Sequence, residues 1–244
     1  MSDPSDTNAA IWQSAEAVEA WVAEAQRQER SREAHRRFLA LLLPFGEQDE
    51  FTFLDLGAGT GAASRAILRL YPRSTAILAD FSAEMMRAGE QEMQAFAGRY
   101  RYVEFDMATA GAWPAAIPPA LDAVVTSMCV HHLPDDRKQS LFAEISGRLV
   151  PGGWYLNYDP VRAEEDLVEA TWSWVRDREH PEEAARRHHR SPLEQERWAN
   201  HVRYIIPLAP QLGYLRAAGF EGVDVYWRHL ENVIYAGRRP VAGA

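Results

Sequence analysis

From residue 51 onward, short apolar runs alternate with stretches whose apolar residues recur every three or four positions. FTFLDL (51–56), STAILAD (74–80), RYVEFD (101–106), LDAVVTS (121–127) and WYLNYD (154–159) read as five strands. A helix follows the first strand and ends near Tyr71-Pro72; another follows the second and runs to about Phe96. The link AGAWPAAIPPA is too proline-rich for a good helix and reads as irregular. Helix 134–150 carries Leu141, Phe142, Ile145 and Leu149 on one face, and Pro151-Gly152-Gly153 stops it. Strands alternating with helices predict a mostly parallel sheet covered on both faces. After residue 160 the rhythm breaks into 161–203, helical, charged and aromatic, followed by a helix at Leu212–Ala218. GVDVYWR (222–228) and NVIYAG (232–237) are then joined by so short a connection that they must form an antiparallel hairpin. The sheet is therefore expected to end in one antiparallel strand.

Upstream, Ile11, Ala15, Val18, Val22 and Ala25 mark an amphipathic helix, and a second is expected from about Ser31 to Leu43, closed by Pro44 and Gly46. The organisation predicted is an N-terminal helical segment, 1–46, that packs on the domain or covers a ligand. A doubly wound α/β domain, 47–244, follows, with 161–203 as a helical cap after strand five.

The glycine-rich turn changes this from a fold to a candidate site. The first strand runs into Asp55-Leu56-Gly57-Ala58-Gly59-Thr60-Gly61. Glycines at alternate positions let the backbone turn sharply and approach a ligand with no Cβ in the way, and the next helix N-terminus offers free N–H groups. That pattern alone is compatible with a dinucleotide. Three carboxylates narrow it. Asp80 ends the second strand, at the offset of roughly 20 residues from the glycines where an acidic group reads a ribose. Asp106 ends the third strand, where it can accept an exocyclic amine. Asp55 precedes the glycines, where it would repel a phosphate and attract an ammonium. Each could instead serve as a cap or turn residue, but all three fall at strand ends. A ligand with ribose, adenine and an ammonium but no phosphate fits this layout. S-adenosylmethionine is one, whereas NAD would favour a neutral residue at position 55.

On LDLGAGTG (54–61), LADFSAEMM (78–86), EFDMA (104–108), DAVVTSMCVHHL (122–133), RLVPGGWYLNYD (148–159) and the terminal hairpin, the chain resembles the class I S-adenosylmethionine-dependent methyltransferases. The resemblance spans about Phe51 to Arg239 and leaves out the detail of 161–203. It implies a Rossmann-like seven-stranded sheet whose last strand is antiparallel. It also implies that Asp55 and the backbone of Gly57, Ala58 and Gly59 hold the methionine moiety. Asp80 would take the ribose hydroxyls, with Phe81 beside the adenine and Met85 packed on it. Asp106 would meet the adenine amine, the Met107 backbone a ring nitrogen, and Ser127 and Met128 would lie under the sulfonium.

A sulfonium is already a good leaving group, so the chain's task is to hold a nucleophile in line and, for an oxygen nucleophile, to remove a proton. The groups placed for that lie after strands four and five: His131, His132, Tyr158 and Asp159. Histidine suits because its ordinary pKa is close to neutral; a structural role for His132 is the competing reading. Several chemistries are set aside. Cys129 follows a methionine rather than the proline that precedes the nucleophile of cytosine-C5 enzymes. The Asn/Asp-Pro-Pro-aromatic turn of amino-methylating relatives is absent. Asp135 and Asp136 open a helix, so no carboxylate metal cluster, and no metal, is expected.

Charge and cysteine content bound the partners. A net charge of −9 and a pI near 5.4 repel long polyanions, so a nucleic-acid substrate would need a local basic patch. One cysteine excludes an internal disulfide. The opening MSDPSDTNAA lacks a signal-peptide pattern and no apolar run suits a membrane span, so a cytoplasmic enzyme is expected. Within 161–203, Trp172, Trp174 and Trp198 accompany Arg186-Arg187-His188-His189-Arg190. That basic run sits before a capped helix start at Ser191-Pro192-Leu193-Glu194, where positive charge at a helix end is favourable. It could alternatively clamp an anionic acceptor. The function expected is methyl transfer to a small-molecule acceptor. Transfer to tRNA or protein, a cofactor-binding module without transfer, and a nucleotide-dependent oxidoreductase are the alternatives.

Overall fold

A computed structural model describes residues 29–111, 113–189, 195, 198–199 and 201–241. The helix read over Ile11–Ala25 and the capped start at Ser191–Glu194 lie outside the described residues. In chain order the elements are α1 (Glu29–Leu41), β1 (Thr52–Leu56), α2 (Ala62–Leu70), β2 (Thr75–Asp80), α3 (Ala83–Glu92), β3 (Tyr100–Glu104), β4 (Leu121–Ser127), α4 (Asp135–Arg148), β5 (Leu149–Pro160), α5 (Asp166–Glu179), α6 (Pro181–His188), α7 (Leu208–Ala217), β6 (Glu221–His229) and β7 (Asn232–Arg238). One-turn 3₁₀ helices sit at Gln94–Phe96 and Val130–His132.

The seven strands form one sheet in the order β3-β2-β1-β4-β5-β7-β6. β1 to β5 pair in parallel, and β7 is antiparallel to both β5 and β6. The last strand in the chain is thus the antiparallel one, but it slots between β5 and β6 and leaves β6 at the edge. A short connection forces the hairpin antiparallel; it does not say which arm joins the older sheet. β5 begins five residues before WYLNYD, because Pro151–Gly153 continues the strand instead of interrupting it. Gly152 N–H donates to the Arg239 carbonyl at 2.9 Å, and Arg239 N–H returns to Gly153 at 2.8 Å.

Side chains on successive strand positions face opposite ways, and the two cores follow that parity. Leu54, Leu56, Val124, Tyr155 and Tyr235 bury one face under Leu141, Phe142 and Ile145 of α4 and Leu215 of α7. Phe53, Ala123, Val125, Leu156 and Ile234 bury the other under Leu39 and Ala40 of α1 and Ile67 and Leu68 of α2. One polar chain crosses the first core. Asn157 accepts from Thr126 Oγ1 at 2.7 Å and donates to Tyr235 Oη at 2.6 Å, which donates to Gln211 at 2.8 Å. This ties β4, β5, β7 and α7 together through groups wholly removed from water. Asn157→Leu would leave the Thr126 and Tyr235 hydroxyls short of a partner. A loss of about 2 kcal/mol or more is expected in urea unfolding, with an unchanged m-value.

The excursion between β5 and α7 closes on itself. Arg162 N–H donates to the Ile206 carbonyl at 3.1 Å, bringing its two ends together. Its helix α5 buries no residue fully and is fastened by charge. Arg176 pairs with Glu231 at 2.6 Å, Glu179 with His229 at 2.8 Å, and Arg228 lies 4.8 Å over the Trp172 ring. In the basic run, Arg187 pairs with Asp177, while Glu182 and Glu183 stand in the first turn of α6. Among the described residues no helix is long and apolar enough to cross a membrane.

Candidate active site

Strand order reverses between β1 and β4, and open α/β sheets bind ligands at the carboxyl ends flanking such a point. The glycine turn lies there. Gly57, Gly59 and Gly61 have φ of +72°, +52° and +78°, a region L side chains rarely adopt. The turn is pinned to the end of β2, because the N–H groups of Gly57 and Ala58 both donate to the Ala79 carbonyl, at 2.8 and 3.1 Å.

The two buried carboxylates on either side behave differently. Both oxygens of Asp80 shape the turn: one accepts from Gly59 N–H at 2.7 Å, the other from Ser82 N–H at 2.9 Å. Ser82 in turn caps α3 by accepting from Met85 N–H at 3.1 Å. A carboxylate has roughly four acceptor positions, so the backbone donors around it do not exhaust it. Burial raises the Asp80 pKa above the usual carboxylate range, against the pull of its backbone donors. Asp55 receives both donors of Ser64 on one oxygen, N–H at 3.0 Å and Oγ at 2.7 Å. Its other oxygen is buried with no partner. Burial pushes the Asp55 pKa up to about 6, partly offset by Ser64. A lone-pair oxygen sealed beside the glycine turn is what a cationic ligand group would satisfy, so the residues present fit a ligand ammonium and disfavour a phosphate.

Asp106 lies just past the end of β3, which stops at Glu104; it is exposed and accepts from Ala108 N–H at 2.9 Å. The strand ends sooner than its apolar run because the turn at 106–109 begins there. Met85 and Met107 overhang the turn: a Cβ at Gly59 would come within 2.9 Å of Met85 Cε, and one at Gly57 within 2.8 Å of Met107 Cε. Phe81 follows Asp80 directly and is partly buried. Ser127 closes β4, and Met128 takes φ +59°, with its N–H donating to the Tyr158 carbonyl at 2.7 Å. Cys129 is buried against Gly57, donates to the Leu56 carbonyl at 3.2 Å, and has its thiol pKa pushed well up by burial, so it is inert.

Beyond Met128 the chain makes the 3₁₀ turn that carries the histidines. His131 and Asp159 are brought together in the interior, Nδ1 to Oδ1 at 2.7 Å. Burial drives both toward their neutral forms, lowering the imidazole and raising the carboxyl. Nε2 of His131 and the second oxygen of Asp159 have no partner. His132 is partly buried, its ring 4.0 Å from that of His131.

Sequence reasoning missed several neighbours. His201, from the segment between α6 and α7, lies with its ring 4.8 Å from His131 and 5.1 Å from His132. His35 on α1 meets Tyr158 Oη at 3.0 Å and stacks 4.1 Å from Trp227. Arg36, buried on the same helix, places a positive charge that favours ionised Asp55. Arg137 donates to the Met107 carbonyl at 2.7 Å and pairs with Glu144, fixing the segment after β3. The sequence predicts that this helix packs on the domain or covers a ligand; only tertiary placement can show which polar residues it carries inward.

The site thus brings together a glycine turn at the switch point, an acid closing β2, and an acid before the turn with one buried, unpartnered oxygen. Residues 53–153 match the methyltransferase domain family. The chain is 31% identical over 105 residues to trans-aconitate 2-methyltransferase of Azoarcus sp. (strain BH72), covering 43% of this chain and 37% of that protein. An O-methyltransferase family protein from Burkholderia thailandensis superposes with a TM-score of 0.67 at 18% identity, over 93% of this chain and 60% of that one. Human N-acetylserotonin methyltransferase in complex with S-adenosylmethionine gives 0.63 at 18%, over 95% and 58%. The chain therefore spans less than two thirds of each of these relatives. Residues 53–153 thus match a methyltransferase domain, and the chain shares its fold with solved methyltransferases.

Proposed function

We propose that this chain binds S-adenosylmethionine across the glycine turn and transfers its methyl group to a small-molecule nucleophile by in-line displacement. The observation that carries the reading is the buried, unpartnered oxygen of Asp55 beside a turn whose other carboxylate, Asp80, is not exhausted by its backbone donors. Asp55 with the backbone of Gly57, Ala58 and Gly59 would hold the ammonium end. Asp80 would hold the ribose, Phe81 and Met85 the adenine faces, Asp106 and the Met107 backbone its edge. Ser127 and Met128 would floor the methyl. The cofactor supplies an activated methyl group. The chain's own residues orient the acceptor, exclude water, and take up its proton at the His131–His132 turn, with Asp159 fixing the His131 ring. Proton transfer of that kind contributes about 10²–10⁴-fold.

A small acceptor is supported by the acidic net charge and by two relatives named for small acceptors, trans-aconitate and N-acetylserotonin. Acceptor choice would then fall to the 161–203 cap and the N-terminal helical segment.

Calorimetric titration of S-adenosylmethionine, its demethylated product and NADH into the purified chain tests the reading. Micromolar binding of the first two is expected; binding of NADH alone would remove methyl transfer and leave only the fold. The same titration carries a pH signature. Asp55 is half protonated near pH 6 in the free protein, and an ammonium beside it requires the ionised form. Affinity should be flat above about pH 7 and fall about tenfold per unit below pH 6, with proton release on binding near pH 6. In folding the sign is opposite to a paired carboxylate. The raised value means this group's contribution is full below its unfolded value of 3.8 and is lost as pH rises through about 6. Asp55→Asn should flatten the binding profile; an unchanged profile in that variant would assign the pH dependence elsewhere.

A further inference from the structure

Three histidines converge beside the methyl-transfer site, and two of them come from a turn that the third reaches only through the cap segment. One ring nitrogen from each of His131, His132 and His201 lies within 4.8 Å of the others. Tetrahedral zinc with nitrogen ligands at about 2.0–2.1 Å needs them roughly 3.3 Å apart, so closing the site takes about 1 Å of side-chain movement. We propose that His131, His132 and His201 form a binding site for a single divalent first-row transition-metal ion of the zinc class.

The arrangement around His131 is what separates this from a chance cluster of rings. Its Nδ1 is engaged by Asp159 at 2.7 Å, which leaves Nε2 as the available donor atom, and that atom is buried with no partner. A carboxylate on one ring nitrogen fixes the ring and makes the opposite nitrogen a better donor, as in the carboxylate–histidine–metal arrangement of zinc sites. The Lys138 ammonium, whose charge bears on His131 and His132, is itself held by Asp135 at 3.3 Å and by the Tyr204 carbonyl. The ligand set, three imidazoles with no thiolate, suits Zn²⁺, Co²⁺, Ni²⁺ or Cu²⁺ over Mg²⁺ or Ca²⁺. Three protein ligands leave a fourth position open, as catalytic zinc sites do. Binding of the ion stands on the histidines alone. Its use, to hold an acceptor oxygen with His131 as ligand instead of proton acceptor, rests on the methyl-transfer reading.

The test uses the full chain without a histidine tag, dialysed against chelator and titrated with Co²⁺ and then Zn²⁺. One equivalent of Co²⁺ should develop visible d–d absorption that Zn²⁺ displaces, with a zinc Kd below about 10 μM. His132→Gln and His201→Gln should each weaken zinc at least tenfold, and Asp159→Asn about 10–100-fold with stoichiometry retained. His201 lies outside the sheet, so its variant should keep the wild-type circular dichroism and report on the site alone. Wild type without stoichiometric zinc, or a His132→Gln/His201→Gln variant that binds as wild type does, overturns the site. Calorimetry of S-adenosylmethionine on the metal-free chain separates the two readings. Cofactor binding without zinc binding removes the metal only, and zinc binding without cofactor binding removes methyl transfer only.

Discussion

Asp80→Ala should weaken S-adenosylmethionine binding by more than 100-fold. The proposed ribose contact is two hydrogen bonds to an ionised acceptor, each worth about 1.5–3 kcal/mol, and 1.4 kcal/mol is tenfold in affinity. A second effect adds to it. The same carboxylate holds Gly59 N–H at 2.7 Å and Ser82 N–H at 2.9 Å, so its removal orphans two backbone donors and loosens the turn that must receive the ligand. Asp80→Asn, which keeps an acceptor oxygen but no charge, should fall between the two. Calorimetry of the three proteins gives the order directly, and an Asp80→Ala protein binding within threefold of wild type would refute the ribose assignment. The experiment does not by itself distinguish cofactors, since NAD carries ribose as well. That discrimination belongs to Asp55, whose sealed oxygen accommodates an ammonium and rejects a phosphate.

The cofactor half of the site was legible because its residues are local to strand ends. β1, the glycine turn and β2 lie within 52–80, and alternation of apolar residues fixed where each strand would deliver its last side chain. Asp55 and Asp80 followed from that geometry. The third strand reads two residues too long in the sequence, to Asp106, since Phe105 continues the apolar run after the strand has stopped at Glu104. The acceptor side was less legible. His131 and Asp159 end adjacent parallel strands or the turns that follow them, and parallel neighbours deliver their ends to one place. Their direct bond was not readable, only their proximity. His201 and His35 carry no periodic signal that ties them to the turn after β4. His201 arrives there because the excursion closes on Arg162–Ile206, and His35 reaches Tyr158 and Trp227 because α1 packs across the sheet. The edge position of β6 was equally hidden. Hairpin length dictates direction, and burial of Val233 and Tyr235 on one side with Ile234 and Ala236 on the other dictates which arm goes inside.

That division explains why the cap is fastened by charge rather than by core. α5 has no fully buried residue and leaves Leu167 and Trp174 exposed at 76% and 60%, while Arg176–Glu231 and His229–Glu179 hold it to the β6–β7 turn. Exposed or half-exposed ion pairs contribute little each, about 0–1 kcal/mol. An element attached this way can open at a small fraction of the free energy needed to unfold the sheet. The cofactor half, by contrast, is built on the buried core. Under the proposed function, ligand exchange beside this segment need not disturb the glycine turn.

The glycine turn allows stability and binding to be separated. Gly57→Ala should cost roughly 2–5 kcal/mol of folding stability. At φ +72° a Cβ is strained by about 1–2 kcal/mol. The new atom would also lie 2.7 Å from both Cβ and Sγ of Cys129. Cys129 cannot yield cheaply, being buried and bonded to the Leu56 carbonyl, so overpacking of about 1–3 kcal/mol is added. Gly59→Ala differs in one respect that decides its outcome. At φ +52° it carries the same left-handed strain, but the only close atom is Met85 Cε at 2.9 Å, the far end of a flexible side chain. It should cost about 1–2 kcal/mol, yet it raises a methyl group where the cofactor backbone would pass, so binding should fall as far as in Gly57→Ala. Urea unfolding and calorimetry on the two variants would show a large stability gap with a similar binding loss. Equal stability losses would mean the turn yields as one unit, and retained binding in Gly59→Ala would mean the ligand does not approach the turn there.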